Sequence, residues 1–359
     1  MSFTKRVAII GGATVALVSL VLLASSLFPT EYRSAVADVA ELFIPLPSLD
    51  KDDYNARLLA LAHIASTTLT RSTASTSVSV ISTTSPSIWP VAAVYPLPDA
   101  ILPFKRIVAY YGNFYSKGMG VLGEYPTDQM LAMLATTTAM WTAADPTTPA
   151  VPAIHYIAVV AQGTAGREGK WILRMPDDQI DHAIELANRI HGIVFLDVQV
   201  GLSTVQHERP LLEKYLKMPN VHLGIDPEFS MKSGDRPGTV IGTMDATDIN
   251  YTAQYLANLV KTYHLPPKVL VVHRFTKGMI TNYTQVRPLP EVQIVVDMDG
   301  FGSKAKKYGT YNRIVAPEPI QFTGIKIFYK NDVRPPADGL LTPAEVLRLT
   351  PSPIYIQYQ

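Results

Sequence analysis

No cysteine occurs anywhere in the chain. That excludes disulfides, thiolate metal centres, a cysteine nucleophile and a lipid-modified cysteine anchor. An excess of charge of either sign is also missing, because 31 Lys and Arg stand against 30 Asp and Glu. The basic footprint of a nucleic-acid-binding domain is therefore absent, and no nucleic-acid partner is expected. Gly112, Gly118, Gly120 and Gly123 are too loosely spaced for a phosphate loop, and no Gly-Lys-Ser/Thr ending follows them. Ser203 has no Gly-x-Ser-x-Gly context, which leaves a serine hydrolase unsupported. Neither H-x-H nor H-E-x-x-H spacing is found, so no metal and no cofactor is expected.

What the chain has in abundance is apolar sequence, 47% of its 359 residues. Residues 7–28 carry no charge and follow Lys5 and Arg6. At about 1.5 Å per residue such a helix crosses the roughly 30 Å hydrocarbon layer, and the flanking cations favour the cytoplasmic side. The expectation is a single-pass segment that tethers the protein to the cytoplasmic membrane and leaves its bulk outside. A cleaved signal is the alternative, with Ala35-Val36-Ala37 as the small-x-small site. Residues 29–103 read as a linker: one helical patch begins at Asp50, residues 66–87 are dominated by Ser and Thr, and Pro90, Pro96, Pro98 and Pro103 follow. The expected organisation is a cytoplasmic tip over 1–6, the membrane segment over 7–28, the linker over 29–103 and one domain over 104–359.

Within 104–359, short apolar runs at 106–111, 154–162, 193–199, 221–226, 269–273, 292–297, 325–329 and 354–358 alternate with helical patterns at 127–141, 176–190, 205–216, 247–263 and 342–349. Alternation of this kind implies parallel pairing, and near-continuous apolar strands imply burial on both faces. Eight such units in about 250 residues predict an α/β fold, a (β/α)8 TIM-barrel-like domain; a doubly wound open sheet is the alternative.

Polar residues gather where these strands end, which is the active face of a barrel. Asp197 and Gln199, Asp226 and Glu228, and Asp297 and Asp299 are each two residues apart, so each pair shares a direction on an extended strand. Neighbouring carboxyls cannot all ionise cheaply, and that separates an acid from a base. Glycoside hydrolysis needs such a division. Glu228 is expected as the acid, with Asp226 or Asp197 as its partner; Tyr110, Gln199, His273, Asp297, Asp299 and Lys326 are expected to bind substrate. Two alternatives are a non-catalytic glycan-binding barrel, and a metal-dependent hydrolase using His273 with Asp197, Asp226 and Asp297.

The stretches AYYGN…GVLGEYP, FLDVQVG, LGIDPEF, VLVVHRF…MIT, VVDMDGFG and PIYIQYQ together resemble an uncharacterised family of bacterial secreted proteins and lipoproteins over residues 106–359. The resemblance implies a glycosidase-like barrel; taken with the expected placement outside the membrane, the residues point to a cell-envelope glycan as partner. Two departures stand out. No cysteine follows the apolar segment, and no carboxylate ends the seventh strand, where retaining glycosidases of the largest barrel clan keep their nucleophile.

Overall fold

The computed structural model describes residues 48–65 and 87–359. The apolar segment at 7–28 and most of the expected linker lie outside the described residues. No helix among the described residues is long and apolar enough to cross a membrane.

Eight parallel strands form a closed barrel: β1 (Arg106–Gly112), β2 (Ala150–Ala161), β3 (Ile193–Val198), β4 (Val221–Ile225), β5 (Lys268–Arg274), β6 (Val292–Met298), β7 (Phe322–Ile327) and β8 (Tyr355–Tyr358). Each pairs with its neighbour in chain order, and β1 closes the ring by pairing with both β2 and β8. The strand β8 is held on both edges, by β1 and β7. Alternation divides every strand between two environments. Val108, Tyr110, Ile154, Leu196, Leu223, Leu270, Ile294 and Ile325 face the surrounding helices, while Ile107, Ala109, Ala153, Phe195, Val271, Val295, Phe322 and Tyr355 fill the interior.

Long helices stand where the apolar period is clean. Thr127–Ala144 (α2) buries Met130, Leu134 and Trp141, and Asp177–Arg189 (α3) buries Ile180, Ala183 and Ala187. Ala246–Tyr263 (α4) begins with a capping box in which Asp245 and Asp248 satisfy one another's backbone amides. The pattern at 205–216 does not give one helix. Pro210 sits in a 3-10 turn between two four-residue helical turns, since its ring cannot occupy a helix interior. Residues 343–346 form a single capped turn rather than the longer helix expected there.

The end of the barrel opposite the strand C-termini is closed by chain that precedes β1. Lys51–Leu61 (α1) starts at Asp50, whose side chain accepts from the amides of Asp52 and Asp53. It buries Tyr54 among Leu102, Ile107 and Val269. Leu102 is pinned by Gln293, whose side chain accepts from its amide at 3.0 Å and donates to its carbonyl at 2.6 Å. Trp89 donates its indole N–H to the carbonyl of Ala316 at 2.7 Å. The packed unit therefore begins at Leu49, and the boundary expected near Pro103 falls inside it. The helical patch and the Pro-rich stretch are the floor of the barrel rather than a solvated spacer. Among the described residues, the opposite end of the barrel opens into the cavity lined by the strand C-termini.

Candidate functional site

The inward side chains at the strand C-termini build the site in two tiers. The lower tier is His155, Asp197, His273 and Asp297, each with no exposed surface. Register explains how they meet: Tyr111 lies level with His155, Asp197 with Gly224, and His273 with Asp297, which is level in turn with Gly324. The two glycines make the room. A Cβ at Gly224 would come within 2.3 Å of Asp197 Oδ1 and 2.5 Å of His155 Nε2, and one at Gly324 within 2.7 Å of Asp297 Oδ1.

Asp197 Oδ2 accepts a hydrogen bond from Tyr111 Oη at 2.9 Å. Asp197 Oδ1 lies 3.3 Å from His155 Nε2 and 3.4 Å from His273 Nε2. Neither contact has hydrogen-bond geometry, and all three atoms are buried without a partner among the described residues. On its other side His273 Nδ1 faces Asp297 Oδ2 at 3.4 Å and Asp299 Oδ2 at 3.2 Å. His155 Nδ1 bonds Tyr355 Oη at 2.6 Å.

The upper tier lines an open cavity of about 760 Å³ and includes Tyr111, Gln199, Asp226, Glu228, Asp299 and Lys326, with Phe229, Phe275, Phe301 and Phe328 as aromatic wall. Lys326 Nζ is 3.1 Å from Asp299 Oδ2 and 3.8 Å from the centre of the Tyr111 ring. Gln199 ties the tier together: its Oε1 accepts from the amide of Ala161 at 3.0 Å, and its Nε2 donates to Tyr111 Oη at 3.3 Å and Asp226 Oδ2 at 3.4 Å.

Glu228 is aimed by a local device. Pro227–Phe229 forms a 3-10 turn, and Asp226 Oδ1 accepts from the amide of Glu228 at 3.0 Å, an Asx cap that Pro227 pre-sets. Gly242 donates its amide to the carbonyl of Glu228 at 2.6 Å. A Cβ at Gly242 would meet the carbonyl oxygens of Pro227, Ser230 and Glu228 at 2.6 to 2.7 Å, so this approach requires glycine. The turn leaves the Glu228 carboxyl in the cavity, half-buried and without a hydrogen-bond or ion-pair partner among the described residues.

The carboxyls split as crowding demands. Burial, followed by the charge of Asp299, pushes Glu228 from 4.5 up to about 7. Burial likewise raises Asp226 well above the carboxylate range. Burial would also raise Asp299, but Lys326 and then His273 outweigh it and hold Asp299 at about 2. In the lower tier, burial pulls His155 down to about 4. Burial would lower His273 too, yet the charge of Asp197 with contacts to Asp297 and Asp299 drives it well above the ordinary value. Burial and nearby carboxylates raise Tyr111 far above 10, so its hydroxyl stays a donor.

Of the residues expected from sequence, Glu228, Asp226, Gln199, Asp299 and Lys326 meet at the cavity. Asp197, His273 and Asp297 share the barrel axis but lie fully buried in the lower tier, out of reach of a molecule in the cavity. Tyr110 is on the wrong face: it bonds Thr137 Oγ1 and Tyr329 Oη, both at 3.0 Å, among the outer helices. Its neighbour Tyr111 is the inward residue. Tyr111 and His155 are the site residues that sequence reasoning missed. The signal for both was parity: Tyr111 continues the inward series of Ile107 and Ala109, and His155 that of Ala153. Comparison with known proteins finds no matching family model and no matching curated protein.

Proposed function

We propose that this barrel cleaves a glycosidic bond in a cell-envelope glycan, with Glu228 as general acid and Asp299 as the ionised partner held by Lys326. One observation carries the reading: a carboxyl with no structural partner, presented to an open cavity by a purpose-shaped turn, with its pKa raised to about 7. A proton donor tuned to the operating pH is what leaving-group protonation needs. Asp299, ion-paired at 3.1 Å to Lys326, supplies the negative charge that an oxocarbenium-like transition state requires. Phe229, Phe275 and Phe301 line the same cavity, and their apolar faces suit the C–H surface of a sugar ring.

The uncharged run at 7–28 behind Lys5 and Arg6 supports placing the domain outside the cytoplasmic membrane, tethered or released. Protease added to intact spheroplasts is expected to digest it; protection would contradict that placement. For the chemistry, the test is release of reducing ends from purified envelope glycans. The wild type is expected to release them, and Glu228→Gln to lose about 10²–10⁴-fold of that rate. Unchanged cleavage by Glu228→Gln would reject the assignment. Binding without cleavage, equal in both proteins, would replace the enzyme with a glycan-binding barrel, which the aromatic wall also fits.

A further inference from the structure

The geometry points to a second site beneath the cavity: a first-row divalent transition metal, zinc or a close relative, held by His155 Nε2, Asp197 Oδ1 and His273 Nε2. This inference is independent of the glycan reading. The three atoms lie within 4.8 Å of one another. All belong to side chains with no exposed surface, and each lacks a hydrogen-bond partner among the described residues. Buried polar atoms are normally satisfied, so three that converge on one point ask for a common partner. Their spacing fits an ion better than a hydrogen bond. Asp197 Oδ1 stands 3.3 Å and 3.4 Å from the two imidazole nitrogens, and ligands about 2.05 Å from a tetrahedral ion are separated by about 3.3 Å.

The surroundings carry the supports that metal ligands use. The far nitrogen of His155 bonds Tyr355 Oη at 2.6 Å. The far nitrogen of His273 faces Asp299 at 3.2 Å and Asp297 at 3.4 Å, the carboxylate–histidine arrangement that fixes a ligating ring. The second oxygen of Asp197 is held by Tyr111. Gly224 keeps the space on the Asp197 and His155 side free of a Cβ. Charge points the same way: Asp197, Asp297 and Asp299 surround His273, and Lys326 pairs with Asp299. With neutral imidazoles a dication balances the remainder. Two imidazoles with one carboxylate select zinc, iron or manganese over magnesium or calcium, which prefer oxygen. Three protein ligands leave a fourth position for a water, and Tyr111 and Gln199 separate the site from the cavity above.

The test uses the full chain, stripped with a chelator and dialysed. Added zinc is expected to bind at one ion per chain by calorimetry and elemental analysis and to raise the thermal unfolding midpoint. Cobalt in its place is expected to give the visible bands of a low-symmetry four- or five-coordinate ion with imidazole ligands. His155→Gln and Asp197→Asn, checked for folding by circular dichroism, are expected to weaken zinc by at least 100-fold, whereas the surface change His182→Ala leaves it unaltered. If either core variant fails to fold, Tyr355→Phe is the replacement, with an expected loss of about 10-fold. A stripped, folded wild type that takes up no zinc, cobalt, manganese or iron overturns the site. So does zinc binding that survives both core substitutions.

Discussion

Replacing Glu228 with Gln separates a functional carboxyl from a structural one, because the two predict opposite changes in stability. The side chain makes no hydrogen bond or ion pair among the described residues, and its pKa rises from 4.5 to about 7 in the folded protein. Gln fills the same volume without the charge. Below about pH 4.5 the carboxyl is protonated in both folded and unfolded chains, so wild type and variant have the same stability. Between 4.5 and about 7 the folded chain keeps a proton that the unfolded chain has released, so wild-type stability falls as pH rises. Above about 7 the whole penalty is present. A rise of 2.5 units, the difference between the two values, corresponds to about 3 kcal/mol at 1.36 kcal/mol per unit, and water at the cavity reduces the expected gain to about 1–2 kcal/mol. Glu228→Gln is therefore expected to match the wild type at pH 4.5 and to unfold a few degrees higher at pH 8, measured by thermal circular dichroism. A variant less stable than wild type at pH 8, or a gain independent of pH, would refute the reasoning.

Tyr110→Phe is expected to cost about 1–2 kcal/mol in denaturant unfolding through its two lost hydrogen bonds, with ligand affinity unchanged; a loss of affinity would place Tyr110 at the site after all. Gly224→Ala brings a Cβ against Asp197 and His155 and is expected to destabilise by about 2 kcal/mol or more, checked by the same melts. Lys326→Met leaves Asp299 buried without its ammonium partner. An expected loss of about 3 kcal/mol at pH 7 shrinks as Asp299 becomes protonated at lower pH, and a pH-independent loss would show that the ion pair is not the cause.

Much of the barrel was legible because both-face burial makes its strands continuously apolar, and all eight runs correspond to barrel strands. Helices were legible where caps and period agreed, as in α4 with Asp245, and misjudged where Pro210 interrupts an otherwise helical pattern. The barrel floor was hidden, because a Pro-rich stretch that packs against another element is compositionally indistinguishable from a solvated spacer. At the site, residues two apart on one strand were grouped correctly, since pleat parity is local. Which parity faces inward is set by the closed ring, and so Tyr110 was chosen over Tyr111. Height along the axis is also non-local: register against β2 and β5 sinks Asp197 and Asp297, respectively, below the cavity. Extended-strand spacing pairs Asp226 with Glu228, yet it is the turn at Pro227, not strand parity, that brings the Glu228 carboxyl to the cavity beside Asp226.

The most direct test is the pH dependence of kcat/KM for cleavage of a purified envelope glycan. With Glu228 as the acid, kcat/KM is expected to fall as pH rises through about 7, following its pKa, and Glu228→Gln is expected to abolish that limb together with the activity. Cleavage with no descending limb near that pH, or retained in Glu228→Gln, would contradict the assignment.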